Sequence, residues 1–467
     1  MDFIDRIEEM QRLDRLAYSP EPGFAVIWGR RRMGKTRLLL EWVEKHRGIY
    51  YVADESTPVI QRDYFAKAIA QKLPGFADVE YPDWASLLSR LAREITTSKW
   101  RGPLVIDELP YLVSVSPELP SVLQKFIDHE AKAAKMVIAL SGSSQRMMQG
   151  IVLDASAPLY GRADEIIKLG PIAPGYLQEA LGLKSAREMI ETYAVWGGVP
   201  RYWNLVNKSG GHFFQTIEQL VLDPMGSLHE EPQRLLIEEI PSAAHLRPLL
   251  DAIGLGVHRM SEIAGRIHEQ ATSLSRPMHR LIELDLVYRE VPYGIDPENS
   301  KKALYKIKDP FVRFWFHVVA SRRSFFSQVS PATRADWLHE SLPHLYAITW
   351  EELCRQAVPR LSGSWKEVYG QTGRFWESNG GEWDVLSESI DSKHLLIGEC
   401  KWTKKTPTSE WIHQTFDELK RKGIPPVKRP PEAKISYVLF VPEKPAGLRL
   451  HDDMRVVDAR EVIEALR

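Results

Sequence analysis

Gly29-Arg30-Arg31-Arg32-Met33-Gly34-Lys35-Thr36 has the residue types and spacing to hold a polyphosphate. Glycines at the first and sixth positions let backbone N–H groups close around phosphate oxygens. A helix opening at the end of the loop, with Arg37 in its first turn, adds the partial positive charge of its N-terminus. Lys35 is expected to reach the β- and γ-phosphates, and the Thr36 hydroxyl to ligate Mg²⁺. The implied ligand is ATP with Mg²⁺. The side chains of Arg30, Arg31 and Arg32 are expected to face solvent or to pair with acids. A second apolar run, Leu104-Val105-Ile106, ends in Asp107-Glu108. Asp107 is expected to hold the Mg²⁺, directly or through water, and Glu108 to orient or deprotonate the attacking water. Both acids together favour hydrolysis over binding alone. Ser143 and Ser144, after Ile138-Ala139-Leu140, either sense the γ-phosphate or cap a strand. Arg162 either reads the γ-phosphate, in its own subunit or a neighbour's, or is a salt-bridged structural arginine.

A separate set of acids lies near the other end. Asp384 follows Gly381-Glu382-Trp383, and Glu399-Cys400-Lys401 closes Leu395-Leu396-Ile397-Gly398. The tripeptide E-x-K is common, occurring also at Glu130, Glu418 and Glu432. Only Glu399 ends an apolar strand and has an aspartate on a strand just before it. Alternation along that strand puts Glu399 and Lys401 on one face and Cys400 on the other. A hairpin then brings Asp384 and Glu399 toward one Mg²⁺, a hard cation that takes carboxylate oxygens. Lys401 is placed to acidify the attacking water and to offset charge developing on a phosphoryl group. The helix before the hairpin, Trp350-Glu351-Glu352-Leu353-Cys354, offers one more acid. Residues 399–434 carry nine Lys/Arg against five acids, a local excess able to follow a phosphate backbone.

These residues need elements to hold them. Short apolar runs at 24–28, 49–52, 104–106 and 136–140 alternate with helical segments up to about residue 170. That pattern reads as buried parallel strands in βαβ units. Residues 171–240 read as helical, broken at Trp196-Gly197-Gly198-Val199-Pro200. Residues 241–310 read as three helices and a hairpin, a winged helix. Its expected recognition helix, Thr272–Leu286, carries Arg276, His279 and Arg280 on one face, and the hairpin turn contains Gly294 and Pro297. A helical connector is expected over 311–345. Helix, strand, strand, helix, strand follow over 346–467. The fold class is thus α/β: a parallel nucleotide-binding sheet over 1–170, a helical lid, a winged helix and a C-terminal α/β domain.

Composition sets limits. Of 467 residues, 44% are hydrophobic and 26% charged, which excludes a disordered, collagenous or coiled-coil chain. With 61 Lys plus Arg against 62 Asp plus Glu, the whole protein has no basic footprint, so a nucleic-acid surface must be local. The winged-helix segment carries ten Lys/Arg and nine acids, so its wing and helix are balanced between touching DNA and packing as a structural arm. Two cysteines make no disulfide framework and point to a reducing, cytoplasmic setting. The charged N-terminus is not a signal peptide, and no apolar run is long enough to span a membrane. Most tryptophans sit among apolar neighbours and read as core. Trp383 and Trp402, beside the acids, stack on bases or pack.

In order along the chain, FIDRIEEMQRL, IWGRRRMGKT, LVIDELPYL, LSGSS, APLYGRA and WGGVPRYW resemble the archaeal-type ATPase family, within the STAND branch of AAA-related P-loop ATPases. The resemblance covers about residues 1–310. It implies that Phe3 to Arg6 lie near the adenine and that Pro200 contacts the base from the lid. It also implies nucleotide-dependent switching with slow turnover, and homo-oligomers or protein partners. The Asp384…Glu399-Cys400-Lys401 pattern resembles the PD-(D/E)xK nuclease core, a restriction-endonuclease-like fold, which implies DNA as substrate and a helical glutamate that helps hold the metal, Glu351 with Glu352 as the alternate. A non-nucleolytic switch that binds DNA or protein is the alternative.

Overall fold

Continuous apolar runs build the first sheet. Five strands, β1 (Gly23–Trp28), β2 (Ile49–Val52), β3 (Leu104–Asp107), β4 (Val137–Gly142) and β5 (Glu165–Lys168), pair in the order β2-β3-β4-β1-β5, all parallel. Phe24 to Ile27 and Val105 are buried to 3% exposure or less, as strands covered on both faces must be. Flanking helices bury apolar stripes. In Trp84–Thr97 the stripe is Leu87, Leu88, Leu91 and Ile95, and Asp83 caps the helix by accepting from the Ser86 N–H. The edge strand β5 escapes the sequence pattern, because Glu165 and Lys168 interrupt it and Ile166 is exposed.

This computed structural model describes residues 2–98, 100–239, 243–296, 300, 302–363, 365–377 and 380–467. It divides into two units: Met1–Ile172 with Val199–Arg201, and Ala173–Gly198 with Tyr202–Arg467. The expected boundary at 240/241 and Pro297 of the hairpin turn lie outside the described residues. Among the described residues no helix is long and apolar enough to cross a membrane.

In the second unit, helices Arg247–Gly254, Met260–Ile267 and Ser275–Glu283 lead into a two-stranded antiparallel hairpin, β6 (Val287–Glu290) and β7 (Leu304–Ile307). The expected helix over 272–286 is shorter, opening at Ser275, so Pro277 sits in its first turn where a missing N–H costs nothing. The expected connector does not end at residue 345. A single helix, Pro331–Ala357, runs through that boundary, tolerating Pro343 and carrying both Glu351 and Cys354.

Beyond it, β8 (Tyr369–Trp376), β9 (Glu382–Ser389), β10 (His394–Cys400), β11 (Lys434–Phe440) and β12 (Met454–Val457) form one sheet in the order β12-β11-β10-β9-β8. The β8-β9-β10 pairings are antiparallel, and β10-β11-β12 are parallel. Two strands exceed the expected number. The glycines Gly370 and Gly373 make β8 read as loop, and its pairing with β9 slips at two places.

Gly398 sits at the centre of this sheet, opposite Val385 on β9 and Val438 on β11. A Cβ there would lie 2.5 Å from Val438 Cγ1 and 3.0 Å from Val385 Cβ. Glycine is therefore what lets the strand carrying Glu399 pack between its neighbours. Gly398→Ala is expected to cost about 1–3 kcal/mol by overpacking, read as a lower denaturant midpoint. An unchanged midpoint would mean that Val438 turns aside without cost.

Candidate functional site

The phosphate loop lies between β1 and the helix Lys35–Lys45. Its turn depends on two glycines. Gly29 has φ +139°, and a Cβ on it would meet the Leu169 carbonyl at 2.6 Å, while Gly34 has φ +89°. Lys35 is 5% exposed, and its ammonium donates to the carbonyls of Gly29 at 2.8 Å and Arg30 at 3.1 Å. Pro200 approaches the loop closely: its Cγ is 3.6 Å from where a Cβ on Gly34 would stand. Arg6, 5% exposed, donates to the Met33 carbonyl at 3.1 Å and the Gly170 carbonyl at 2.6 Å. The N-terminal segment therefore braces the loop from outside, and Asp5 and Arg6 adopt left-handed backbone to do it.

Sheet order sets the chemistry. β4 lies between the loop strand β1 and β3, so Asp107 ends one strand beyond it at the same edge, where ligands bind in open α/β sheets. Asp107 is fully buried. Its Oδ2 accepts from Thr36 Oγ1 at 2.9 Å and Tyr50 OH at 2.7 Å, and its Oδ1 from the Glu108 N–H at 2.9 Å. Thr36 and Asp107 thus offer adjacent hard oxygens, a donor pair that fits Mg²⁺. Burial, then the Asp107 charge beside it, pushes the Tyr50 phenol well up, so Tyr50 stays a donor. Tyr50 has no signal in the sequence beyond lying in a strand.

Glu108 takes left-handed backbone at φ 53° and accepts from the N–H and hydroxyl of Ser143. Ser143 therefore contacts the acid expected to handle water. The candidate arginines each take protein partners. Arg162 forms a two-pronged pair with Asp128, at 3.0 and 3.1 Å, and donates to the Pro158 and Tyr160 carbonyls, which is the salt-bridged structural reading. Arg37 pairs with Glu41 on the exposed side of its helix, not with the phosphate loop. Arg31 donates to Tyr111 OH at 3.4 Å, and Arg30 is buried at 5% exposure, which for Arg30 sets aside the solvent-facing alternative and leaves the pairing one.

In the second unit, Asp384 on β9 accepts from the Cys400 N–H on β10 at 2.9 Å. Glu399 accepts from Lys401 at 2.8 Å and from Lys422 of the helix Ser409–Lys422 at 3.3 Å. Arg355 donates to the Asp384 carbonyl at 3.1 Å and pairs with Glu351 at 3.6 Å. Burial, then the Glu399 and Glu351 carboxylates, push the Asp384 carboxyl up to about 7. Burial likewise raises Glu351. Asp384, Glu399, Lys401 and Glu351 therefore share one electrostatic neighbourhood. Glu352 does not: it takes a two-pronged bond from Arg313, at 2.6 and 2.9 Å, and one from Tyr288 OH at 3.0 Å. The expected three-acid metal cage is not preassembled. Among the described residues no group of three or more His, Cys, Asp or Glu stands ready for a metal ion, since Glu399 is turned to lysines and Glu351 to Arg355. Trp383 packs in the sheet core, and Trp402 packs on Trp350 and under the Arg187 guanidinium.

The comparisons agree with the first unit. Residues 3–206 match an ATPase domain found predominantly in Archaea, and residues 315–417 match a family of archaeal and bacterial proteins of unknown function. An uncharacterized protein of Methanocaldococcus jannaschii is 28% identical over 427 residues, covering 90% of this chain and 92% of that one. A Walker-type ATPase of Pyrococcus abyssi superposes with TM-score 0.54 at 19% identity, over 68% of this chain and 97% of its own, a likeness of fold. The loop, Asp107 and Glu108 all lie within the segment that matches the ATPase domain.

Proposed function

We propose that this ATPase couples its nucleotide state to Mg²⁺-dependent cleavage of DNA by the C-terminal sheet, a restriction-endonuclease-like domain. The observation that carries the reading is the grouping of Asp384 and Glu399 on neighbouring strands, with Lys401 on Glu399 and Glu351 in the same field. In the first unit, Lys35 moves from its loop carbonyls to the phosphates. Thr36 and Asp107 would hold Mg²⁺, and Glu108 would orient the water while Ser143 fixes its carboxylate. In the second, Asp384, Glu399 and Glu351 would hold Mg²⁺, which supplies charge neutralisation and a more acidic water. The reaction adds water to phosphorus and releases a sugar oxygen. Lys401 exchanges its Glu399 contact for the phosphoryl oxygens, and Lys422 helps seat the backbone.

A second reading is the non-nucleolytic switch, in which the helices and hairpin of 247–307, a winged helix, and the C-terminal sheet bind DNA or protein. The double lysine contact to Glu399 favours it, because those ammoniums already satisfy the acid without a metal.

One experiment tests the ATPase site common to both readings, and a second separates them. In ATP turnover assays, Asp107→Asn is expected to lower hydrolysis about 10²-fold or more with ATP binding retained, while Lys35→Ala loses binding. Unchanged turnover in Asp107→Asn would remove Asp107 from the reaction. For the second unit, circular and linear DNA are incubated with Mg²⁺ or Mn²⁺, with and without ATP. The expected result is cleavage by the wild type, lost in Lys401→Ala whose ATP turnover is unchanged. Wild type that hydrolyses ATP but never cuts DNA moves the reading to the switch.

A further inference from the structure

The carboxylate of Asp107 has an anchor that the phosphate loop does not supply. Tyr50 lies on β2, the edge strand of the first sheet, one strand outward from β3. The register pairs Tyr50 with Val105 and Val52 with Asp107. Side chains alternate along a strand, so Tyr50 shares a face with Val105 and Asp107. Its hydroxyl reaches along that face to the strand end and donates to Asp107 Oδ2 at 2.7 Å. Tyr51, the next residue, turns the other way. Its ring packs against Phe65, with centroids 4.9 Å apart, and its hydroxyl donates to Gln61. Two adjacent phenols thus serve opposite faces of one strand, and the first meets the acid.

The other donors to Asp107 have different origins. Thr36 Oγ1 also donates to Oδ2, at 2.9 Å, but it is itself one of the two oxygens suited to Mg²⁺. The N–H of Glu108, the residue next in the chain, holds Oδ1 at 2.9 Å. Both donors come from segments given direct roles at the nucleotide. Tyr50 lies outside the loop and outside the Asp107-Glu108 turn. The Asp107 side chain turns about two bonds, and a donor fixed on a neighbouring strand limits that rotation. Metal sites depend on such outer contacts, whose loss ordinarily costs about 10–100-fold in metal affinity or activity.

We propose that Tyr50 is a positioning residue of the ATPase site, holding the Asp107 carboxylate in the orientation that Mg²⁺ requires beside Thr36. It acts through Asp107 and not on the nucleotide. The consequence is a split. Nucleotide held by the loop and Lys35 without metal is indifferent to the Tyr50 hydroxyl. The part of the affinity that Mg²⁺ adds depends on it. This inference rests on the Mg²⁺–ATP reading of the first unit and is independent of the nuclease reading.

The test is equilibrium binding of a fluorescent ATP analogue to the full-length protein, in Mg²⁺ and in EDTA, with a Mg²⁺ titration of ATP turnover beside it. Tyr50→Phe keeps the ring, removes the donor, and leaves Asp107 with Thr36 and the Glu108 N–H. In EDTA it is expected to bind like the wild type. In Mg²⁺ its affinity should fall about 10-fold, and half-maximal turnover should need about 10-fold more Mg²⁺, with the rate at saturating Mg²⁺ little changed. Tyr51→Phe is the control, because its hydroxyl faces away from Asp107, and it should match the wild type in every condition. Equal loss with and without Mg²⁺ would overturn the proposal, since the damage would then lie in the loop. So would an unshifted Mg²⁺ dependence in Tyr50→Phe, or the same shift in Tyr51→Phe, which would mark an effect of strand packing. Wild type whose binding ignores Mg²⁺ would remove the Mg²⁺ site itself, and the role of Tyr50 with it.

Discussion

A carboxylate removed from water needs donors around it or it will not stay charged. Both sites of this chain are organised around an aspartate in that position at the end of a sheet strand. Asp107 is buried completely, and its surroundings are built to satisfy it: the Thr36 hydroxyl, the Tyr50 phenol and the Glu108 backbone all donate. That arrangement fixes the strand order, because β3 must end level with the phosphate loop for Thr36 to reach across. It also explains the left-handed turn at Glu108. The chain reverses there so that its own N–H can serve the preceding carboxylate, and the reversal carries the Glu108 side chain to Ser143.

Asp384 is the opposite case. Among the described residues its carboxylate accepts an N–H from Cys400, and it shares its space with Glu399 and Glu351, so its proton is held to near neutrality. Lys401 and Lys422 serve Glu399, and Arg355 serves Glu351 through an ion pair and reaches Asp384 at its main-chain carbonyl. A group so placed is better matched by a cation than by water. That is the physical basis for reading this end of the sheet as chemical, and it also explains why Gly398 must be small. The strand that brings Glu399 to Asp384 has to pack flush against both of its neighbours.

The phosphate loop, Asp107 and Glu108 were legible because each lies within one strand–turn–helix segment whose spacing is dictated by the ligand. Asp384, Glu399 and Lys401 were legible for a related reason: a hairpin and a two-residue alternation are local rules. What the sequence hid depends on contacts between distant segments. Arg6 reaches Met33 and Gly170 only once the N-terminal helix packs beside the sheet. Tyr50 reaches Asp107 only through the β2–β3 register. Arg162 looked able to meet a phosphate because nothing local reveals Asp128. Strand β8 was hidden by its glycines, although one of them, Gly373, has a reason to be there: a Cβ on it would stand 3.2 Å from the Tyr293 ring.

That contact bears on how the hairpin of 287–307 can work. Beyond β6 the chain continues onto β8: the Tyr293 N–H donates to the Arg374 carbonyl at 2.8 Å, and the Tyr293 hydroxyl accepts from the Glu388 N–H at 3.0 Å. Glu290 on β6 pairs with Lys306 at 2.8 Å and Arg374 at 3.3 Å, and Arg374 reaches on to Glu382 at 3.1 Å. Burial alone would raise the Glu290 carboxyl, but the cations around it outweigh burial and hold it below the ordinary range. Swinging the hairpin into a DNA groove would leave Glu290 its Lys306 partner, which is on β7 of the same hairpin, but would strip it of Arg374, a cost of at most about 3–5 kcal/mol. The helix Ser275–Glu283 offers little in exchange, since Glu283 already takes His279 at 3.3 Å and Arg280 at 2.9 Å, leaving Arg276 exposed beside them. The charge balance of this segment left open whether it touches DNA or packs as an arm. The ion pairs favour the arm, and move the proposed nucleic-acid surface to the lysine-rich edge beside Glu399.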